Sequence, residues 1–472
     1  MNRVCLARLT GARASLAQSV RGVAGQERLE LETRQGAPGV RGAAEQERPE
    51  LEVRSDIFSA RPTRSLLRTL AIYQVCAVDR IVDNSLQLLR LGERLLGSRL
   101  LQLLAQPFYR QFVAGAEQRE LAQVAATLQR DNIQLMLTSM LEADVDEEAA
   151  SERQLEANLE EALRVLTIVR EVTAGQDQAA LQAKFTAHLN ADLLVHISRV
   201  FSSSESPSSL VEQLANAMVT SGQVSVPGLT SEQQYAWDSC VRRLKTLGEA
   251  CADSGMLMFV DGEFTYTNPA ISWLTLALMA VFNQREAFIR GTHQCYLKAT
   301  PANLEREYAI CQQLGACFGG KLVRGAYMAR ERQLAQQEGR ASPVCDSYEA
   351  TTLSYTRAVE FALRRVAEDG GRTQIMVATH NHESILHALG LARRLGVVPF
   401  SGGLAFAQIY GMADYLTVPL GRAGHRVFKA VPFGEFTTVM PYLSRRAAES
   451  RLVQQGVRVE KQLLLRELAS RV

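Results

Sequence analysis

Arg426-Val-Phe-Lys-Ala-Val-Pro-Phe-Gly-Glu-Phe436 reads as a short strand ending in a turn at Pro432 and Gly434. The residues that follow, Thr437-Thr-Val-Met-Pro-Tyr-Leu-Ser-Arg-Arg-Ala-Ala-Glu-Ser450, read as a helix. A strand feeding directly into a helix is the repeating unit of a parallel α/β fold. On that helix Arg445 and Arg446 are adjacent and diverge by about 100°. Glu449 lies within one helical turn of both, so it can pair with either. A planar guanidinium donates two parallel hydrogen bonds to a carboxylate or a phosphate. The pair therefore reads either as an anion site or as a solvated basic face.

The same grammar extends upstream to about Asn190. Strand candidates are Leu193–Val200, Met256–Gly262, Gln294–Lys298, Gly319–Arg324, Gln374–Ala378, Val397–Phe406, a segment near Tyr415–Val418, and Arg426–Val431. Helical stretches separate them. Roughly eight apolar strands alternating with helices predict a (βα)8 barrel over residues 191–460 rather than an open sheet. No Gly-x-Gly-x-x-Gly follows a strand, which counts against a Rossmann domain. In such a barrel the site lies at the C-terminal ends of the strands. Polar groups gather there: Asp261 and Glu263; Lys321, Arg324 and Tyr327; Thr379, His380 and Asn381; Gln408 and Tyr410. Gln294 opens its strand, with Lys298 towards the end.

Residues 63–190 read as a helical region and 461–472 as a C-terminal tail. Leu86 to Leu104 is leucine-rich and carries Arg90, Arg94 and Arg99. It reads as a helix packed on a core, with a membrane surface as the other option. Residues 26–62 read as disordered, because Arg21–Arg34 recurs as Arg41–Arg54 in polar copies rich in both charge signs. Residues 1–25 carry Arg3, Arg8, Arg13 and Arg21 with no acidic residue and no long apolar core, the composition of a mitochondrial transit segment.

The whole chain of 472 residues has 47% hydrophobic and 22% charged residues, which is globular composition. A net charge of +2 argues against nucleic acid as the main partner. The eight cysteines show no Cys-x-x-Cys spacing and read as reduced thiols. His380-Asn-His382 has the look of a metal pair, but the rings share a face only if the strand runs through them. With no His-Glu-x-x-His and no carboxylates clustered nearby, no metal is expected.

Val260-Asp-Gly-Glu263, Lys321-Leu-Val-Arg-Gly-Ala-Tyr327, Ala378-Thr-His-Asn381, Tyr410-Gly-Met412 and Tyr442-Leu-Ser-Arg-Arg-Ala-Ala-Glu449 resemble, in order and spacing, the successive motifs of the proline dehydrogenase family. The resemblance covers about residues 190–465 and implies a distorted (βα)8 barrel whose last helix lies over the barrel mouth. It implies that Arg445 and Arg446 bind an amino-acid carboxylate, supported by Glu449 and Asp261. It implies FAD, with Lys321 near flavin N5 and Val323, Gln294, Thr379, His380, Asn381 and Glu449 along the cofactor. Tyr327 would wall the substrate pocket, with Ile409 where the family has leucine.

Two departures stand out. The family has a lysine on the first barrel strand, and the alignment of Leu193-Leu-Val-His-Ile-Ser198 puts His196 there. Proline-specific members place a tyrosine against the ring, where this chain has Ala430. A small residue at that position resembles the hydroxyproline-oxidising branch. The implied reaction is oxidation of trans-4-hydroxy-L-proline to 1-pyrroline-3-hydroxy-5-carboxylate, with hydride passing from ring C5 to flavin N5. Electrons would then reach a ubiquinone-type acceptor from the matrix side of the mitochondrial inner membrane, to which the protein would attach peripherally. The rival readings are L-proline as substrate, a catalytically impaired barrel serving as a scaffold, and a metal-dependent barrel hydrolase.

Overall fold

The structure, a computed structural model, describes residues 55–138, 149–175, 178–204, 206–399, 402–449 and 454–471. Eight strands form one closed parallel barrel in chain order. They are β1 (Ile133–Thr138), β2 (Ala180–Ala183), β3 (Leu257–Val260), β4 (Ile289–Gln294), β5 (Phe318–Val323), β6 (Thr373–Ala378), β7 (Leu404–Ile409) and β8 (Arg426–Pro432). β8 closes the barrel on β1, with Met136 beside Ala430 and Thr138 beside Pro432.

The helices used below are α1 (Thr63–Cys76), α2 (Asp79–Asp83), α3 (Ser85–Phe112), α4 (Gln118–Gln129), α5 (Glu152–Val172), α6 (Ala191–Ser202), α7 (Pro207–Thr220), α8 (Ser231–Asp253), α9 (Asn268–Phe282), α10 (Thr300–Gln313), α11 (Met328–Gln337), α12 (Tyr348–Glu368), α13 (His382–Arg394), α14 (Asp414–Arg422), α15 (Phe436–Glu449) and α16 (Gln454–Ser470).

Side chains alternate across each strand, and this sorts the residues into two cores. Met136, Ala180, Leu257, Phe259, Met376, Ala405, Ala407 and Phe428 pack together inside the barrel. Their neighbours Leu135, Leu137, Leu181, Met258, Leu322, Val377, Phe406 and Val427 join the larger core beneath the helices. Two-residue steps from the inner set bring Gln182, Asp261, Ala378, Ile409 and Ala430 to the inner surface near the C-terminal ends. Small residues on β2 and β7 leave room for Phe259 and Phe428, whose rings meet edge-on at 6.3 Å.

Five expectations need correction. Leu193–Val200 is not a strand: it lies in α6, where Leu194, Ile197 and Phe201 repeat at helical spacing and are buried. Tyr415–Val418 lies in α14, buried all round, so its apolar run carries no period to separate helix from strand. The region 63–190 is not wholly helical, since β1 and β2 fall within it. β1, Ile-Gln-Leu-Met-Leu-Thr, is buried on both faces, and β2, Ala-Leu-Gln-Ala, consists of good helix formers held extended by the sheet ladder. The tail at 461–472 is part of α16, with Leu463 and Leu464 buried, and the disordered segment expected to reach 62 gives way at Ser55–Phe58 to a short 3-10 helix with Phe58 fully buried. Smaller shifts affect β7, which starts at Leu404, and β4, which Gln294 closes rather than opens. The transit-like segment and the duplication at 21–54 lie outside the described residues.

Outside β8 a buried charge cluster ties α1, α14 and α16 to the barrel. Lys429 pairs with Asp414 at 2.8 Å, and Asp414 also pairs with Arg61. Glu460 accepts from the Tyr73 hydroxyl at 3.0 Å and from the backbone N–H of Ala413 at 2.8 Å. Burial pushes the Lys429 ammonium down and the Glu460 carboxyl up, and their attraction opposes both shifts. Lys429 Nζ also donates to the carbonyls of Ile409, at 3.2 Å, and Met412, which anchors the loop after β7.

Candidate active site

Lys184 follows β2 directly and is buried. Its ammonium donates to the Tyr327 hydroxyl at 3.0 Å and lies 3.8 Å from Asp261. Asp261, one residue past β3, accepts a hydrogen bond from Lys321 at 2.7 Å and another from Gln182 at 3.3 Å. Gln182 is fixed in turn by the Thr138 hydroxyl at 2.6 Å. Burial alone would raise the Asp261 carboxyl, but Lys321, Lys184 and Arg446 outweigh it and hold the group below the usual carboxylate range. Three cations thus surround one carboxylate at the barrel mouth.

Arg446 reaches this cluster from α15. Its Nη1 donates to the Tyr327 hydroxyl at 2.7 Å, and its guanidinium lies over the rings of Tyr327 and Tyr442. Tyr327 is held with φ at +52°, an uncommon conformation for an aromatic residue. The surrounding contacts impose it: Phe264 packs on the ring at 4.6 Å, and buried Glu331 accepts from Thr265 N–H at 2.7 Å, tying the loop after β3 to α11. Arg445 is half-buried, and no hydrogen bond or ion pair of its side chain is recorded among the described residues. Glu449 ends α15, and its side chain lies outside the described residues.

Opposite these groups, His380 sits two residues past β6. Its Nε2 accepts from the Ile409 N–H at 3.0 Å, so in the neutral ring Nδ1 carries the proton. Nδ1 is buried without a partner among the described residues. Burial, then the Lys429 charge, pushes the ring down to about 3, so it is neutral at physiological pH. His382 belongs to α13 and stacks on Tyr415, so the two histidines do not share a strand face.

Gln294 is buried, donating to the Glu263 carbonyl and the Tyr296 hydroxyl and accepting from Asn268, each within 3.0 Å. The Thr379 hydroxyl accepts from the Asn381 N–H, and Asn381 caps α13. Val323 closes β5, two residues from Lys321 on the same face. Ile409 ends β7 beside Ala430, and Ala430 packs against the inner core.

His196 is not in this cluster. It lies on α6 with Nε2 3.4 Å from the Pro227 carbonyl. The basic residue at the first strands of the barrel is Lys184. The sequence offered one signal for it: Lys184 is the sole residue among Asp, Glu, Lys and Arg between Ala179 and Leu189.

The family described as Proline dehydrogenase matches residues 121–459. Over 422 residues the chain is 36% identical to the Hydroxyproline dehydrogenase of Xenopus laevis, covering 88% of this chain and 89% of that one. The chain belongs to the proline dehydrogenase family. Family membership makes it an enzyme of (hydroxy)proline dehydrogenase type. It is also 38% identical over 243 residues to human Proline dehydrogenase 1, mitochondrial, covering 52% of this chain and 40% of that one. The crystal structure of proline utilization A from Bdellovibrio bacteriovorus superposes with a TM-score of 0.61 at 16% identity, over 87% of this chain. This chain spans 39% of that longer one, and at that identity the likeness is one of fold.

Proposed function

We propose that this family member oxidises trans-4-hydroxy-L-proline to 1-pyrroline-3-hydroxy-5-carboxylate. It would use bound FAD and pass electrons to a ubiquinone-type acceptor at the matrix side of the mitochondrial inner membrane. The observation that carries the hydroxyproline reading is Ala430, a small side chain on the inner face of β8 beside Ile409. The name of the Xenopus relative agrees with it. The mitochondrial part rests on the arginine-rich N-terminus and on the human relative, whose name carries that location.

A substrate carboxylate fits the cations. Arg445, Arg446 and Lys184 would hold it, with Asp261 and Glu449 setting the cations and Tyr327 walling the ring. The excess positive charge disfavours a protonated ring amine, and oxidation at C5 requires the neutral amine. FAD fits the opposite rim. His380 Nδ1 is a buried donor whose partner a ligand acceptor would supply, and Lys321 and Val323 face the barrel interior. Gln294 and Asn381 already donate to internal partners and would shape that rim, whereas the Thr379 hydroxyl accepts from the Asn381 N–H and keeps its own proton to donate. When bound, flavin supplies the two-electron acceptor for the hydride leaving the ring.

The deciding measurement is turnover of trans-4-hydroxy-L-proline against L-proline by the purified flavoprotein. A clear preference for proline would assign the rival substrate. Flavin absorbance that neither compound bleaches would leave the scaffold reading. Lys184 weakens that reading, since it occupies the ground His196 had left weak.

A further inference from the structure

Helix α3 is not one helix. Gly97, with φ +74° and ψ 159°, breaks it into two arms. Leu101 of the second arm folds over Gly92 of the first: a Cβ on Gly92 would come within 2.9 Å of Leu101 Cδ1. The base of this hairpin is anchored, with Leu89, Phe108 and Tyr109 packing on Phe436, Val439 and Met440 of α15. The rest faces outward. Leu88, Leu91, Leu95, Leu96, Leu100, Leu103 and Leu104 are exposed, Leu95 by 73% and Leu103 by 70%. The expectation that this leucine run packs on a core is therefore overturned. Single exposed leucines need no explanation, but seven on one hairpin form a patch of the kind that marks an interaction surface. Arg90, Arg94 and Arg99 stand exposed among them, with Glu93 as the one acidic residue of α3.

We propose that this hairpin is a docking surface for an anionic lipid bilayer, lying in the plane of the headgroups. The reading deepens the membrane acceptor of the proposed function and rests on it for its purpose. Each arm is shorter than the ~20 apolar residues needed to span a bilayer. No described helix is long and apolar enough to cross a membrane. An amphipathic segment with leucines on one side and arginines among them instead partitions into the interface, the guanidiniums reaching up to lipid phosphates. A second copy of the chain fits the patch less well. A two-fold interface sets the same surface against itself, so arginines would face arginines with little acidic charge to meet them. Because the hairpin base packs on α15, which carries Arg446, a bilayer held there lies beside the barrel mouth.

The test is co-sedimentation of the full-length flavoprotein with vesicles of phosphatidylcholine alone and of phosphatidylcholine mixed with phosphatidylserine. Two surface variants accompany it, Leu95→Glu with Leu103→Glu, and Arg90→Gln with Arg94→Gln and Arg99→Gln. The wild type should pellet with the anionic vesicles, little with the neutral ones, and less as salt rises. Both variants should lose most of the pelleted fraction while keeping flavin content and turnover with a soluble dye acceptor. Wild type that stays in the supernatant with anionic vesicles overturns the proposal. So does a leucine variant that pellets like wild type, or a wild-type dimer that the leucine variant converts to monomer without any vesicle binding. Wild type that pellets with anionic vesicles but turns over neither amino acid would instead count against the proposed reaction and leave the docking surface standing.

Discussion

The ammonium of Lys184 and the guanidinium of Arg446 donate to one acceptor, the Tyr327 hydroxyl, at 3.0 and 2.7 Å. The two cations come from opposite ends of the fold, one just after β2 and the other from α15. Like charges this close cost free energy, which Asp261 and the phenol partly offset and a bound carboxylate would offset further. A site built this way holds its charge in place before the anion arrives, so little reorganisation accompanies binding.

Lys184→Met should therefore raise KM for the amino acid by at least tenfold, about 1.4 kcal/mol, with flavin content retained. His196→Ala should change kcat and KM less than about twofold, since surface changes away from special features are usually small. Steady-state kinetics on both variants check this. A wild-type KM in Lys184→Met together with a large rise in His196→Ala would restore the histidine to the site.

The history of that lysine shows how far the sequence was legible. The motifs around Asp261, Lys321 and His380 were legible as polar residues at or just past strand ends, Arg446 as one of an adjacent arginine pair on the helix that follows β8, and the resemblance to a known family joined them. β1 and β2 were not. Their extended state comes from ladders to Ala430 and Leu257 rather than from local propensity, and both lack an alternating pattern. With β2 unseen, Lys184 had no strand to follow, and the next apolar stretch, Leu193–Ser198, took its place. The hairpin in α3 was hidden for another reason: leucine spacing fixes a helix face but not what covers it.

Arg446→Met and Arg445→Met should each lose most activity, chiefly through substrate affinity, because in the proposed complex each loses its charge pair with the substrate carboxylate, which costs on the order of 2–5 kcal/mol once that pair is desolvated. Tyr327→Phe should cost less, about 1 kcal/mol, since it removes one hydroxyl and keeps the aromatic wall. Titration of the flavin spectrum with substrate ranks the three. A Tyr327→Phe loss equal to that of Arg446→Met would mean that the phenol touches the reacting groups itself.

Histidines that burial pushes down, His188 and His380 among them, contribute to the acid limb of stability. Burial, then Arg243, pushes the His188 ring down to about 4, and burial, then Lys429, pushes His380 to about 3, from an ordinary value of 6.5. Below pH 6.5 the unfolded chain binds protons that the folded chain refuses. Stability is therefore complete above that pH and falls as pH drops toward about 4, by up to about 1.4 kcal/mol per pH unit for each ring. Urea unfolding across this window should show the slope, and His188→Asn should flatten it by about one proton. An undiminished slope in both His188→Asn and His380→Asn would assign the acid lability to other groups.

In the proposed function the choice between the two amino acids is assigned to Ala430. It lies on the inner face of β8 between Met136 and Ile409, one inward step above Phe428. Tyrosine there would fill the space that a ring hydroxyl needs. A missing hydroxyl costs little in a pocket that does not hydrogen-bond it, whereas a steric clash costs several kcal/mol, so the discrimination comes from exclusion. Ala430→Tyr should lower kcat/KM for trans-4-hydroxy-L-proline by at least about tenfold more than for L-proline, which it should spare or improve. Adding bulk to a packed interior typically costs 1–3 kcal/mol, so flavin content and thermal unfolding near wild type are the controls that the variant has folded. Ala430→Gly, which keeps the space open, should preserve the preference for hydroxyproline. Equal losses for both substrates in a folded Ala430→Tyr protein, or an unchanged substrate ratio, would show that position 430 does not read the ring, and the hydroxyproline assignment would lose the observation on which it rests.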